Sequence, residues 1–131
     1  MAARQSVLVV DPLEETHEVL RTALGDQGIE VVAARSSIHG LSLARRREVS
    51  LIVYDLESDG VSGVLTGKLL LESASRGTPL LVLGNARRPA AGLTGCQSLP
   101  KPYHYAALIR RIEELLGAAE KSARRSDARA A

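Results

Sequence analysis

Three polar residues that could do phosphate or metal chemistry each follow a short apolar run. Asp11 follows 6–10, Asp55 follows 51–54 and Lys101 follows 96–100. In an open parallel sheet, the carboxyl ends of the strands form the edge where ligands bind. Carboxylates are Mg²⁺ ligands, and a lysine ammonium offsets phosphoryl charge. The placement of two acids and a lysine therefore favours a phosphate or metal site.

The elements that must position these residues alternate between strand-like and helix-like patterns. The strand-like runs are Ser6–Val10, Glu30–Ala34, Leu51–Tyr54, Pro79–Leu83 and Cys96–Pro100. The first, third and fourth runs are continuously apolar, which is typical of strands covered on both faces. The segments between them have apolar residues spaced near 3.6. This (βα)5 alternation predicts a flavodoxin-like α/β fold, a doubly wound parallel sheet with strand order 2-1-3-4-5.

Boundary residues agree with this alternation, and one helix looks abnormal. Gly28 is expected to end the first helix, Ser36 or Ser37 to cap the second, and Gly77 to help end the third. The fourth segment, Ala86–Gly95, contains one proline and two glycines. These residues oppose a helix interior by roughly 3 and 1 kcal/mol each. We therefore predict a shortened or irregular helix 4.

Length and composition limit the other classes of protein. The chain has 131 residues, 45% hydrophobic, with no Phe or Trp and a net charge of +2. We expect one domain over 1–117 and a flexible tail, or the start of a linker, over 118–131. A single cysteine excludes an internal disulfide and a cysteine-rich zinc site, and it suits a reducing cytosol. No signal peptide or membrane-length apolar stretch is visible, so we expect a cytoplasmic domain without membrane insertion.

Over about Val7–Leu116 the sequence resembles the receiver domains of bacterial two-component response regulators. The matching pieces are Val9-Val10-Asp11, Leu51–Leu56 with Gly60 and Gly63 following, and Lys101-Pro102. The resemblance implies that Asp55 is a phosphoacceptor and that Lys101 contacts the phosphoryl group. It also implies that Asp11 and Asp55 bind Mg²⁺, with the backbone carbonyl of Glu57 as a further ligand.

Three positions depart from the pattern of these receivers. Pro12 stands where they carry a second acid, Gly84 where they carry Ser or Thr, and Ser98 where they carry Tyr or Phe. These departures imply a vestigial or weak phosphoacceptor, with Mg²⁺ binding that is weak and not required. They resemble those of phosphorylation-independent pseudo-receivers. The run 63–69, with Gly84 and Asn85, resembles in particular the receiver of a myxobacterial motility protein.

Each acid at the strand ends also has an alternative, purely structural interpretation. Asp11 could instead cap the first helix, with Pro12 as its first residue and Glu14 as its third. Asp55 could be a vestigial carboxylate held in a salt bridge by Lys101. The Glu57 carboxylate could partly replace the acid lost at Pro12, or it could be a solvated loop group.

The remaining polar residues favour protein binding over metal or nucleic-acid binding. His17 and His39 lack paired ligands at zinc spacing, so we expect surface or capping roles. The arginine clusters fall on different elements, so we expect this domain to bind no nucleic acid. One group lies near the face formed by the fourth helix, the fifth strand and the last helix. Its members are Arg87, Arg88, Tyr103, Tyr105, Arg110 and Arg111.

Arginine and tyrosine are favoured anchors of protein interfaces. We therefore predict a degenerate receiver, not an enzyme, that acts as an interaction or localisation module. Its partner would be a signalling or motility protein, or a second copy in a homodimer. The alternative is a genuine phosphoacceptor, phosphorylated on Asp55 by a histidine kinase. A hydrolase or nucleotide-binding enzyme lacks both a nucleophile–base pair and a glycine-rich phosphate loop here.

Overall fold

The computed structural model describes residues 4–57, 72, 76–84 and 96–130. This part of the chain contains, in order, β1 (Ser6–Val10), α1 (Glu14–Gly25), β2 (Glu30–Ala34), α2 (Ser37–Arg46), β3 (Leu51–Asp55), β4 (Leu80–Leu83), β5 (Cys96–Leu99) and α3 (Tyr105–Ala130). The five strands coincide with the predicted runs to within one residue at each end. The predicted third helix and the irregular helix over Ala86–Gly95 lie outside the described residues.

The five strands form one parallel sheet in the order β2-β1-β3-β4-β5. This confirms the predicted flavodoxin-like arrangement. β1 lies between β2 and β3, with Val10 opposite both Ala34 and Tyr54. Because these strands are parallel, the residues that follow β1 and β3 emerge at the same edge of the sheet. Asp11 and Asp55 are the residues placed there.

Both faces of the sheet are covered, which explains the continuous apolar runs. Alternate residues of β1, β3 and β4 point to opposite faces and join one of two hydrophobic clusters. α1 and α3 cover one face, where Leu20 and Leu108 are fully buried. α2 covers the other face with Leu41 and Ala44. A strand buried on both sides needs apolar residues at every position, not at every second one.

α2 packs unusually close to the sheet. A Cβ atom at Gly40 would lie 2.6 Å from Cγ2 of Val10, so glycine is needed for this approach. The helix begins as predicted, because Ser36 Oγ accepts a hydrogen bond from the amide of His39 at 3.2 Å. The predicted end of α1 was three residues late. α1 ends at Gly25, and Gly28, with φ +75°, closes the following turn.

α3 runs through Ala130, so residues 118–130 continue the last helix. Among the α3 residues whose burial the structure describes, the buried apolar ones run from Leu108 to Leu116. The division of the chain at residue 117 stays a prediction. Among the described residues, no helix combines the length and the apolar character that a membrane span requires.

Candidate functional site

The loop after β1 holds Asp11 in a tight turn. Asp11 is fully buried, and its Oδ1 accepts a hydrogen bond from the amide of Leu13 at 2.8 Å. Its Oδ2 is also buried and has no hydrogen-bond partner among the described residues. An acceptor without a partner in such a place normally costs about 1–3 kcal/mol. This oxygen therefore marks a point where a ligand would be stabilised.

The prediction that Asp11 caps the first helix is wrong. α1 begins at Glu14, and Leu13 occupies the cap position without a side-chain hydrogen bond. The Asp11 carboxylate binds the amide two residues ahead, which makes an aspartate turn between strand and helix. Pro12 lies inside this turn and is exposed, so it is not the first residue of the helix.

The loop after β3 holds Asp55 in a similar turn. Asp55 is 1% exposed, and its Oδ1 accepts from the amide of Glu57 at 2.8 Å. Its Oδ2 accepts from Nζ of Lys101 at 2.8 Å, and the same Nζ donates to Oε2 of Glu57 at 3.1 Å. The peptide bond between Lys101 and Pro102 is cis. The structure thus brings together Asp55, Lys101 and Glu57, which lie on two separate loops.

Burial and charge shape the protonation of this site. Burial, with the nearby charge of Asp55, raises the pKa of Asp11, although the Leu13 amide, Thr16 and His17 act in the opposite direction. Burial lowers the pKa of Lys101, but its hydrogen bonds to Asp55 and Glu57 outweigh this effect, and the net pKa is raised. Lys101 therefore remains a cation beside the two carboxylates.

Tyr103 is a neighbour that the sequence analysis did not place at the acids. It is half-buried, and burial together with the charges of Asp11 and Asp55 raises its pKa to about 12. Its ring meets that of Tyr105 edge to face, with centroids 6.3 Å apart. The Tyr105 hydroxyl is 3.4 Å from Oγ1 of Thr16 on α1. The signal in the sequence was the position of Tyr103 two residues after Lys101.

The prediction that His17 lies at the surface is wrong. His17 is fully buried, with Nε2 2.8 Å from the backbone oxygen of Asp11. A buried imidazole needs such a partner, because an unpaired polar group is costly in an apolar interior. His17 thus stabilises the Asp11 turn through the Asp11 backbone oxygen. His39 is exposed, as expected.

The three positions that depart from the receiver pattern lie after β1 (Pro12), after β4 (Gly84) and within β5 (Ser98). Gly84 ends β4 with φ +124°, and a Cβ there would lie 3.4 Å from Cδ1 of Leu56. A backbone in this conformation strains any residue with a side chain. The departure at residue 84 therefore involves the backbone as well as the lost hydroxyl. Ser98 is partly buried in β5, and Pro12 is exposed.

The predicted interaction face is partly inside the described chain. Tyr103 and Tyr105 are half-buried against the core, and Arg110 is exposed. Arg111 donates to Oε1 of Gln97 on β5 at 2.7 Å, so it links α3 to the sheet edge. Arg87 and Arg88 lie outside the described residues.

The donor set at the sheet edge fits a divalent cation with two protein carboxylates. Asp11 and Asp55 would hold it, and the unpartnered Asp11 Oδ2 is the oxygen that gains most from it. In the described part of the chain, no group of three acids, histidines or cysteines has metal-binding spacing. Mg²⁺ keeps several waters when proteins supply few ligands. A cation held there would neutralise charge at the two acids.

Solved structures show the class of fold to which this geometry belongs. The chain superposes on a CheY-like receiver domain protein from Methanospirillum hungatei with a TM-score of 0.75 and 21% identity, covering 92% of this chain and 99% of that one. It also matches the Vibrio cholerae chemotaxis response regulator CheY4, with a TM-score of 0.69 and 21% identity over 86% of this chain and 99% of the other.

Sequence similarity supports the same class. The polar-differentiation response regulators DivK of Brucella ovis and Brucella suis are each 28% identical in an alignment 121 residues long, which covers 86% of this chain and 97% of theirs. No protein-family model matches the sequence. In fold, and in sequence at 28% identity, the chain is thus similar to response regulators and their receiver domains.

Proposed function

We propose that this chain is a degenerate receiver domain that acts as a phosphorylation-independent protein-interaction or localisation module. The observation that carries the proposal is the state of Asp55. Its side chain is 2% exposed, and both of its oxygens accept hydrogen bonds, one from Lys101 and one from its own turn. A phosphoacceptor must present a carboxylate oxygen in line with its donor. In this conformation both Asp55 oxygens are buried and already hydrogen-bonded, which disfavours in-line attack on a phosphoryl donor.

The surroundings of Asp55 add support from each neighbouring strand end. The proline after Asp11 supplies no second carboxylate, and Gly84 supplies no hydroxyl group. The strained backbone at Gly84 means that a single side-chain change does not restore that hydroxyl without cost. Mg²⁺ is not required in this proposal, because Lys101 already neutralises Asp55.

The docking face in this proposal is centred on the start of α3. Arg110 is exposed, and Tyr103 and Tyr105 form a ring pair with partly accessible edges. The partner would be a signalling or motility protein, or a second copy of the chain. The likeness of the run 63–69 to the receiver of the myxobacterial motility protein FrzS motivates the choice of partner class. That run lies outside the described residues, and the likeness stays a prediction.

Phosphoryl uptake tests the first half of the proposal. We expect wild type incubated with Mg²⁺ and acetyl phosphate to gain no phosphoryl group by intact-mass spectrometry. Beryllium fluoride with Mg²⁺ should leave the amide spectrum from Tyr103 to Arg111 unchanged. Asp55→Asn is the control that has no acceptor. A phosphoryl adduct in wild type that is absent from Asp55→Asn would contradict the proposal.

Partner retention tests the second half. We expect immobilised wild type and Asp55→Asn to retain the same partner from a native extract, because the message does not pass through Asp55. Arg110→Glu should lose it, since an exposed rim charge on the docking face is reversed. Arg46→Glu, an exposed change on α2, is the matched control. Equal retention by wild type and Arg110→Glu would move the interface elsewhere.

A second candidate function has one observation in its favour. Asp11 Oδ2 is buried without a partner, and Asp55 and Lys101 are retained, so a weak Mg²⁺-dependent phosphoacceptor keeps its minimal parts. In that case a histidine kinase would phosphorylate Asp55. The phosphoryl-uptake measurement separates the two candidates, because only this one predicts an Asp55-dependent adduct.

A further inference from the structure

Lys101 lies between two carboxylates that differ greatly in burial. Its Nζ is 2.8 Å from Oδ2 of Asp55 and 3.1 Å from Oε2 of Glu57. The Asp55 side chain is 2% exposed, whereas that of Glu57 is 74% exposed. One ammonium group is thus shared by a buried acid and a solvated acid that lie two residues apart.

The opposite acid has no such partner. Asp11 and Asp55 each use Oδ1 for the amide two residues ahead, but only Asp11 keeps a buried Oδ2 without a hydrogen bond. A divalent cation held by both acids would compete with Lys101 for the negative charge of Asp55. Two cations close to one carboxylate repel each other strongly where water is scarce. Cation binding at Asp55 would therefore favour movement of Lys101 away from it.

We propose that Glu57 is a positioning residue for this exchange. Lys101 shifts from Asp55 to Glu57 when a divalent cation takes Asp55, and Glu57 keeps the ammonium group paired. Since Nζ already donates to Glu57, the exchange breaks one hydrogen bond and leaves the other in place. Without Glu57, a partly buried lysine would share Asp55 with the incoming cation and would have no second carboxylate to pair with.

The side chain of Glu57 is assigned to the lysine and not to the cation. The described residues contain no group of three acids with metal-binding spacing, so Asp11, Asp55 and Glu57 do not form a three-carboxylate site. If Glu57 acts through Lys101, its effect on Mg²⁺ affinity should depend on whether Lys101 is present. If Glu57 binds the cation directly, its effect should not depend on Lys101. The proposal also concerns the acids and not the docking face, so it stands or falls separately from partner binding.

The test is a double-mutant cycle on Mg²⁺ affinity, measured by amide NMR titration at constant ionic strength. Wild type, Glu57→Gln, Lys101→Met and the double variant are compared. Glu57→Gln should weaken Mg²⁺ binding by roughly two- to five-fold, the range for an exposed ion pair. Lys101→Met should tighten it by about ten-fold, because the competing charge is gone. Glu57→Gln should then have no further effect in the Lys101→Met background.

Three results would overturn the proposal. Equal weakening by Glu57→Gln in both backgrounds would mean that Glu57 acts on the cation directly. Tighter binding in Glu57→Gln would mean that Glu57 locks Lys101 onto Asp55. No Mg²⁺ binding by either wild type or Lys101→Met would remove the cation site altogether. Glu48→Gln, an exposed acid at the other end of β3, is the matched charge control and should leave the affinity unchanged.

A measurement on the side chain itself avoids dependence on the folding of Lys101→Met. The Lys101 CH2ε resonances of wild type should shift with the same Mg²⁺ midpoint as the site amides. In Glu57→Gln they should move at saturation toward those of Lys121, an exposed lysine on α3. If the wild-type resonances do not move at saturation, Lys101 does not exchange and the proposal fails.

Discussion

The loops after β1 and β3 are built alike but leave their acids in different states. Asp11 and Asp55 are both buried, and each gives Oδ1 to the amide two residues ahead at 2.8 Å. Asp55 then pairs through Oδ2 with Lys101, whereas Oδ2 of Asp11 has no partner among the described residues. The same residue in the same turn therefore becomes an ion pair in one loop and an unsatisfied acid with a raised pKa in the other.

The difference shows that the chemistry of a strand-end acid is set by what the adjacent loops supply. The loop after β5 brings an ammonium group to Asp55. The loop after β1 brings no cation to Asp11: the Leu13 amide donates to Oδ1, Pro12 has no donor, and His17 on α1 contacts the Asp11 backbone oxygen. The charge of Asp55 is thus neutralised by Lys101, whereas Oδ2 of Asp11 has no partner among the described residues.

The largest expected effect comes from removing the partner of Asp55. Lys101→Met would leave Oδ2 of Asp55 without its partner, as Oδ2 of Asp11 already is. The two acids would then be in the same state. We expect a loss of about 2–3 kcal/mol in the free energy of unfolding, below the range for a fully buried pair because Lys101 is partly exposed. Urea denaturation without divalent ions measures it, with Lys121→Met as control. A loss no larger than that of the control would show that the pair adds no stability.

Gly84→Thr extends the comparison to the end of β4. It adds back a hydroxyl, but at φ +124° and beside Leu56. We expect it to lower the free energy of unfolding by about 1–3 kcal/mol, the cost of a strained backbone. We also expect no phosphoryl uptake from acetyl phosphate. Gly25→Ala, with nothing within 4 Å of the new Cβ, is the control. A stable, phosphorylatable Gly84→Thr would show that only the hydroxyl was missing.

Asp11→Asn sharpens the comparison by removing the unpaired charge while keeping the turn acceptor. We expect it to stabilise the protein by on the order of 1 kcal/mol at neutral pH without divalent ions. Since the pKa of Asp11 is raised in the folded state, its ionisation disfavours folding. The gain should be absent below the ordinary pKa of 3.8 and should grow as pH rises through the folded pKa. Thermal unfolding across pH checks this, and a pH-independent gain would contradict it.

The smallest expected effect is at the contact that joins α1 to α3 beside the acids. Tyr105→Phe removes the hydroxyl that lies 3.4 Å from Oγ1 of Thr16. Because this distance is long, we expect a loss of less than about 0.5 kcal/mol in urea denaturation. The loss of unfolding free energy in the double variant of Tyr105→Phe and Thr16→Val should not exceed the sum of the two separate losses. A loss of several kcal/mol would mean that this contact, and not the Lys101 pair, holds the edge together.

The sheet could be predicted because its information is local. Continuous apolar runs mark β1, β3 and β4, and the alternation with helical spacing fixes a parallel sheet of known order. The strand-end positions of Asp55 and Lys101 then follow from topology alone. Their contact at 2.8 Å is expected both of a phosphoacceptor site and of a vestigial salt bridge, so both interpretations stay predictions.

The remaining features depend on contacts that the sequence pattern does not carry. The start of α1 was predicted two residues early because a capping aspartate and a turn-forming aspartate have the same local sequence. Leu13 and Ile38 fit the helical spacing, yet they are 57% and 67% exposed. The burial of His17 requires the backbone oxygen of Asp11 to come within reach, which depends on the tertiary path of the loop.

Because α3 is long, a small change in its tilt would displace its far end by a large distance. Its 26 residues, which begin at Tyr105, span about 39 Å at the rise of an α-helix. Among the α3 residues whose burial the structure describes, the last buried apolar one is Leu116, in the first half of the helix. A tilt of about 5° at that end would displace Ala130 by about 3 Å over this length. A small tilt of α3 at the end that begins at Tyr105 would therefore produce a much larger displacement at Ala130.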